Sequence, residues 1–272
     1  MWSKTRPLLT ALALCLAGSA QAHMTWLLAN SYQVNGKEPV VSVDAAVSED
    51  LFVFERALKL EQILITAPDG SKLEAQQRTA ARHRESFELR LTQDGTYRVS
   101  HVQLALMGSY VLDGQTRRFR ATPATLDQEL PAGAQLQGLT QVHNRQQIFV
   151  SKEEPGKLAF VPEGQGLELL PLDPVTELSH GDRSRFRLLL DGQPLAEASV
   201  RLLREGNRYR YKLGEQLIKT DAKGEFTVEW TEAGRYWLGA AQGDKPAQGV
   251  TGTREQPLRR ANLSASFEVL PR

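Results

Sequence analysis

Residues 186–198 read FRLLLDGQPLAEA, and this stretch decides the fold class. Its apolar run ends at Asp191-Gly192, a dipeptide typical of two-residue hairpins because both of its positions accept a positive φ. A second apolar run follows at residues 198–203 (ASVRLL). The pattern therefore predicts two short antiparallel strands joined by a tight turn.

Similar turn signals recur along the chain, at Asn35-Gly36, Asp69-Gly70, Asp94-Gly95, Asp113-Gly114 and Lys223-Gly224. The segments between them predict strands at residues 39–47, 62–67, 86–91, 95–103, 185–190, 198–203, 224–230 and 235–240. Helix signals are weak, with one or two turns expected at residues 124–130. Many short strands at this spacing are typical of β-sandwiches. We therefore expect an all-β protein.

The chain is long enough for two domains. A polar, turn-rich region at residues 151–166 separates its halves. We predict two tandem β-sandwich domains of the immunoglobulin/transthyretin-like kind, at residues 23–163 and 164–272.

The first 22 residues have the pattern of a signal peptide. Lys4 and Arg6 precede an apolar core at residues 7–18, and Ala20-Gln21-Ala22 is a typical cleavage sequence. Cleavage would leave His23 as the first residue. Cys15 follows a leucine, not the small residue that lipid attachment requires, and we expect a periplasmic protein with no lipid anchor.

Composition argues against several classes of partner. Lys4 and Arg6 account for two of the 33 basic residues, so 31 basic and 32 acidic residues remain after cleavage. Such balance does not favour nucleic acid binding. No later apolar run is long enough for a membrane span. Nucleophile-elbow and phosphate-loop motifs are also missing, and we expect no enzymatic activity.

Several segments in the second half follow the order of a known family pattern: residues 167–174 (LELLPLDP), 180–182 (HGD), 186–198, 220–224 (TDAKG) and 234–238 (GRYWL). In the first half, residues 22–28 (AHMTWLL) and 43–52 (VDAAVSEDLF) extend the likeness. Together they resemble the family labelled domain of unknown function 4198. The resemblance implies an exported protein associated with metal uptake, including nickel, whose second half is similar to transthyretin-like and carboxypeptidase-regulatory domains.

His23 is the leading metal-ligand candidate. After cleavage, its α-amine and Nδ1 could chelate one Ni, Cu or Fe ion. A frayed terminus with no ligand role is the alternative. His101 is the second candidate, since it shares a strand face with Tyr97 and Val99, although a half-buried structural histidine fits as well. His143 precedes Asn144-Arg145, and we expect it in a loop.

Three early acids could complete such a site: Asp44, Glu49 and Asp50. Asp44 interrupts an apolar strand, so it needs a polar partner if it is buried. Asp44 is the third predicted metal ligand. The alternative is an ordinary exposed strand face followed by a turn.

Three functional hypotheses follow. The first is a periplasmic metal-handling accessory protein that works with an envelope transporter. The second is a non-catalytic structural or interaction module for a membrane transporter or receptor. The third is a copper enzyme with a histidine brace, formed by His23 with His101 or His143.

The aromatic residues of the second half are expected to pack in its core. They are Trp230, Tyr236 and Trp237, together with Tyr209 and Tyr211, which alternate with basic residues. A sugar-stacking surface is the alternative for these side chains.

Overall fold

A computed structural model describes residues 23–156, 160–247 and 249–272. The predicted signal peptide, residues 1–22, lies outside the described residues. The fold is all-β and of the sandwich type, as predicted. Within the described residues, no helix has the length and apolar character needed to cross a membrane.

The strands of the first half are β1 (Met24–Ala29), β2 (Gln33–Val34), β3 (Val40–Ser48), β4 (Arg56–Ala57), β5 (Gln62–Thr66), β6 (Lys72–Leu73), β7 (Gln76–Ala80), β8 (Glu85–Arg90), β9 (Gly95–Leu112), β10 (Gln115–Ala121) and β11 (Gln135–Lys152). A single helical turn, α1 (Leu126–Glu129), lies where one was expected.

The second half contains β12 (Leu167–Pro171), β13 (Leu178–Ser179), β14 (Arg183–Leu190), β15 (Gln193–Pro194), β16 (Ser199–Arg204), β17 (Gln216–Lys219), β18 (Glu225–Glu229), β19 (Gly234–Gly243) and β20 (Leu258–Leu270). All eight predicted strands are present, but the run at 198–203 forms β16 in a different sheet from β14, so the predicted hairpin between these two strands is wrong. However, β9 continues to Leu112, well past the predicted end at residue 103.

The described strands form three sheets. The first has the order β1-β3-β8-β7, with β4 beside β3. The second has the order β17-β16-β19-β20-β11-β9-β5-β6, and β10, β13 and β2 pair with β9, β20 and β11. The third has the order β12-β14-β15, with β18 beside β14.

The second sheet belongs to both halves of the chain, because β11 and β20 pair in parallel from Thr140↔Leu258 to Gln147↔Ala265. Each half has its own buried apolar cluster, but each of these clusters also contains residues from the other half of the chain. Leu203 and Trp237 of the second half pack in the first cluster, and Phe149 of the first half packs in the second. The predicted boundary near residue 163 stays a prediction, since one sheet and parts of both clusters are shared by the two halves.

Only some of the turn dipeptides close hairpins. Asp113-Gly114 and Asp191-Gly192 each join two paired strands, and all four residues have a positive φ between 51° and 78°. Asp69-Gly70 joins β5 to β6. The other three connect strands of different sheets, since Gly36, Gly95 and Gly224 follow β2, β8 and β17. Their positive φ redirects the chain between layers.

A buried ion-pair network holds the segment between β11 and β12. The Glu163 carboxylate accepts hydrogen bonds from Arg98 at 3.1 Å and from Arg145 at 2.6 Å. Both arginine side chains are only 1% exposed. The buried carboxylate of Glu168 accepts from the backbone N–H groups of Glu163 and Gly164 at 2.8 and 2.7 Å. These contacts fix the connection between the two cores.

The prediction for the aromatic residues is correct for one group and wrong for the other. Trp230, Tyr236 and Trp237 are buried. Tyr209, by contrast, is 83% exposed, and Tyr211 is fully exposed. The segment around them is a 3₁₀ turn, Asn207–Tyr209, followed by irregular chain, so the alternation of aromatic and basic residues does not mark a strand there.

Candidate metal site at the first strand

β1 is firmly anchored from its first residues. Trp26 is fully buried and donates from Nε1 to Ser48 Oγ at 3.0 Å. Its ring packs edge-on against Phe52 and Phe54, with centroids 5.4 and 5.2 Å away. The Thr25 carbonyl accepts hydrogen bonds from the second half of the chain, described below. The strand that follows His23 is therefore held on both sides.

The antiparallel register of β1 and β3 brings His23 and Glu49 together. Met24 is opposite Ser48, so the preceding residue faces the one that follows Ser48. His23 Nε2 lies 3.5 Å from Glu49 Oε1, and the two side chains are 51% and 55% exposed. The sequence had placed Glu49 among three candidate acids, and it is the one beside the imidazole.

Glu49 is held by a capped turn. The Glu55 carboxylate accepts hydrogen bonds from the backbone N–H groups of Glu49 and Asp50 at 3.0 and 3.2 Å. Asp50 itself lies 3.6 Å from Arg208. These contacts give the Glu49 backbone a defined position next to the start of β1.

Asp44 is separated from His23. It is opposite Leu28, five residues along β1, which corresponds to about 17 Å of strand. Its Oδ1 accepts from Ser86 Oγ at 2.6 Å and lies 3.5 Å from Arg84 Nε. Asp44 therefore has the polar partner that its half-buried position requires. Its role as a metal ligand stays a prediction, without His23 beside it.

His101 is a fully buried residue whose two ring nitrogens both form hydrogen bonds. Nε2 accepts from the backbone N–H of Glu61 at 3.2 Å, so Nδ1 carries the proton and donates to Gln146 Oε1 at 2.7 Å. Burial lowers the pKa of this imidazole, against the opposing effect of Gln146. His101 reaches β1 only indirectly, because Gln146 Nε2 donates to Thr25 Oγ1 at 3.0 Å.

His143 lies in the middle of β11, and the loop expected there is absent because β11 spans this region. Its ring nitrogens are buried and form no hydrogen bond to any residue that the structure describes. The ring packs on Gly166, where a Cβ atom would lie 2.1 Å from Nδ1. Burial, and then the nearby Arg145, lower its pKa. His143 lies three residues from Gln146, so the two project from opposite faces of the strand.

The described residues contain no group of three histidine, cysteine, aspartate or glutamate side chains arranged to hold a metal. The His23 imidazole supplies one side-chain donor, and Glu49 lies beside its Nε2, where it can accept a hydrogen bond from the ring. A second donor, the α-amine of His23, becomes available only if cleavage frees it. On that condition the amine and the imidazole fit a borderline divalent ion.

Sequence reasoning missed the residues that attach β1 to the second half. Trp237 Nε1 and Ser264 Oγ both donate to the Thr25 carbonyl, at 3.1 and 2.7 Å. They lie more than 200 positions from Thr25, and no local pattern indicates such contacts.

No curated protein matches the chain. Among solved structures, the chain is similar to an alpha-2-macroglobulin of Escherichia coli, with 15% identity, 92% of this chain and 20% of that chain covered, and a TM-score of 0.23. It is also similar to the adhesin InvE of Yersinia pseudotuberculosis, with 12% identity, 91% and 61% covered, and a TM-score of 0.22. The chain thus spans less than two thirds of the length of either protein.

The pattern of one family covers most of the sequence. It matches residues 20–244, which include β1, the Glu49 turn and most of the second half. This range also contains the segments on which the resemblance was first based. The chain belongs to the family described as "Domain of unknown function (DUF4198)".

Proposed function

We propose that this protein is a periplasmic metal-handling accessory protein that holds a divalent Ni, Cu or Fe ion at its processed N-terminus and works with an envelope transporter. The observation that carries the proposal is the distance of 3.5 Å between His23 Nε2 and Glu49 Oε1. An imidazole that binds a metal through Nδ1 usually donates its other N–H to a carboxylate, and Glu49 is in that position.

The anchoring of β1 supports the same proposal. A chelate formed by a mobile terminus would lose conformational entropy on binding. Here Met24 and Trp26, directly after His23, are both buried. The free amine and the imidazole would therefore be presented on an ordered strand.

We infer that the site is non-catalytic, because a histidine brace requires a second imidazole. Both ring nitrogens of His101 are occupied by hydrogen bonds. His143 projects from the face of β11 opposite to Gln146 and Thr25. Neither histidine offers a free nitrogen towards His23.

Calorimetry with Ni²⁺ and Cu²⁺ tests the proposal. Protein that begins at His23 is compared with a version that has one extra N-terminal residue. The extra residue converts the amine into an amide and should abolish tight binding. Glu49→Gln in the first version should weaken binding about 10- to 100-fold.

Two variants serve as controls. Glu74→Gln alters an exposed carboxylate elsewhere and should leave the affinity unchanged. His101→Gln should also leave it unchanged, whereas a histidine brace through His101 would make this variant lose binding. Negligible affinity in both N-terminal versions would remove the proposal.

A second function, as an interaction module for a membrane transporter or receptor, is favoured by the exposed aromatic residues. Tyr209 and Tyr211 are exposed, and so is Leu217, at 70%, in the strand β17 that follows them along the chain. Tyrosine is enriched at protein interfaces. A stable complex with a membrane protein that is lost in a Tyr209→Ser/Tyr211→Ser variant, in metal-free protein, would support this function.

A further inference from the structure

A large open cleft lies beside the first core, where the first sheet stops covering the second. Its volume is about 930 Å³. One side is lined by Thr25 of β1 and by residues 56–59 and 61, and the other by the end of β10 and the chain that follows it, at residues 120–122 and 125. The floor is one face of β9, β11 and β20. A sandwich normally fills such a face with apolar side chains, but much of this one is polar.

Three amide side chains form a row across the floor. Gln103 of β9 is opposite Asn144 of β11, which is opposite Asn262 of β20. Asn262 Nδ2 donates to Asn144 Oδ1 at 2.9 Å. The Asn144 Nδ2 group makes no hydrogen bond to any residue that the structure describes. The row therefore offers a positioned donor on rigid central strands.

The rim of the cleft is cationic. The charged residues that line it are Glu61 and four basic residues: Arg56, Lys59, Arg120 and Arg260. Among the described residues, none of the four has a carboxylate within 4.0 Å, although ion pairs are frequent elsewhere in the protein. In a chain of formal net charge +1, this is a local excess of positive charge.

Two of these cations are tied to the amide row. Arg120 donates to Gln103 Oε1 at 2.6 Å, and Arg260 Nε donates to Asn262 Oδ1 at 3.3 Å. Their guanidinium groups are therefore held at opposite ends of the floor. A guanidinium matches a carboxylate in a bidentate arrangement, and amide and hydroxyl groups match hydroxyls.

The geometry points to a binding site for a small organic acid that carries two or more carboxylates and at least one hydroxyl. The carboxylates would lie at Arg120 and Arg260, with the hydroxyl on the Asn144 amide between them. This site is separate from the proposed metal site and does not depend on it.

Calorimetry on metal-free full chain with citrate as the probe tests the site. We expect saturable binding of one citrate per chain. Arg120→Gln and Arg260→Gln should each weaken binding about tenfold, through loss of one charge-assisted hydrogen bond. If either variant folds poorly, as judged by its thermal midpoint, Lys59→Gln replaces it, because this exposed side chain makes no ion pair among the described residues.

Arg117→Gln is the matched control. Arg117 lies on the same strand, is exposed, and projects from the face opposite to Arg120. The Arg117→Gln variant should bind citrate with the same affinity as the unaltered protein. The neutral polyol xylitol should bind far more weakly than citrate.

Three results would overturn the assignment. These are no saturable binding of citrate, an equal loss in Arg117→Gln, or equal affinity for inorganic phosphate.

Discussion

His101 donates from Nδ1 to the side-chain oxygen of Gln146 across 2.7 Å, and this hydrogen bond joins β9 to β11 inside the first core. The other ring nitrogen accepts from a backbone N–H, so the imidazole is neutral in this arrangement. Protonation of His101 would add a proton at Nε2, where it would face the backbone N–H of Glu61, which is itself a donor. His101 thus stabilises the fold only in its neutral form.

The stability of the protein should fall as the pH is lowered through this histidine. Burial places the folded-state pKa of His101 below its unfolded value of about 6.5. Above that value both states are neutral, and below it the unfolded state binds more protons. We expect a loss of up to about 1.4 kcal/mol per pH unit for this residue below pH 6.5. Urea unfolding between pH 5 and 7.5 measures it.

The variant His101→Gln should reduce this pH dependence of the stability. His143, which is half-buried and whose pKa is also lowered, should account for part of the remainder. Identical pH profiles for His101→Gln and the unaltered protein would contradict the assignment.

Glu163→Gln should destabilise the protein by about 3 kcal/mol or more. The change would leave Arg98 and Arg145 buried without the carboxylate that they share. Glu154→Gln makes the same change at an exposed position nearby and should stay within about 0.5 kcal/mol. Equal denaturation midpoints for the two variants would show that the network does not stabilise the fold.

Gly166→Ala should cost more stability than Gly164→Ala. Both glycines have a positive φ, at 65° and 76°, so both variants acquire backbone strain of about 1–2 kcal/mol. Only at Gly166 would the new Cβ meet the His143 ring, since nothing lies within 4 Å of the position at Gly164. Thermal unfolding of both variants, and of Gly166→Ala with His143→Ala, separates strain from contact. In the double variant, the part of the stability loss that comes from the contact with the His143 ring should be absent.

In the second half, replacing a buried tyrosine should cost much more stability than replacing an exposed one. Tyr236 is 2% exposed and packs edge-on against Trp230 at 5.1 Å, so Tyr236→Ser should cost about 3 kcal/mol or more. Tyr211→Ser should change the free energy of unfolding by less than about 0.5 kcal/mol. A large loss in the Tyr211 variant would mean that its side chain is packed in solution.

Turn chemistry made much of the fold predictable. The Asp191-Gly192 turn and the strand before it follow from local preferences for positive φ and from short apolar runs, but the strand that pairs across the turn is only β15, and the apolar run 198–203 belongs to another sheet. The same signals do not say whether a turn closes a hairpin or carries the chain to another sheet. The turn at Gly95 carries the chain to another sheet. Which sheet the next strand joins is decided by tertiary packing, which the dipeptide does not encode.

The middle of β11 was not predicted because its buried side chains are polar. Arg145, Gln146 and Gln147 are consecutive and all buried. Each finds a partner at least 18 residues away, as when Gln147 Oε1 accepts from the backbone N–H of Leu169 at 2.9 Å. Hydrophobic periodicity identifies strands that bury apolar groups, and this part of β11 is stabilised by distant hydrogen bonds instead.

The candidate metal site depended on the register of one strand pair. Sequence identified His23 and several early acids, but the choice between Asp44 and Glu49 requires the alignment of β1 with β3. A shift of one residue would reverse which side chains share a face. That alignment is set by the burial of Trp26 and its neighbours, which no single motif specifies.

The parallel pairing of β11 with β20 has a consequence for biosynthesis. The chain is made from its N-terminus, so β11 is complete more than a hundred residues before its partner β20 exists. Until then, one edge of the central sheet exposes unpaired backbone groups, the kind of edge that promotes aggregation. A ribosome-bound or truncated chain that lacks residues 258–270 would therefore keep this edge of β11 exposed, and we expect it to need protection by a chaperone.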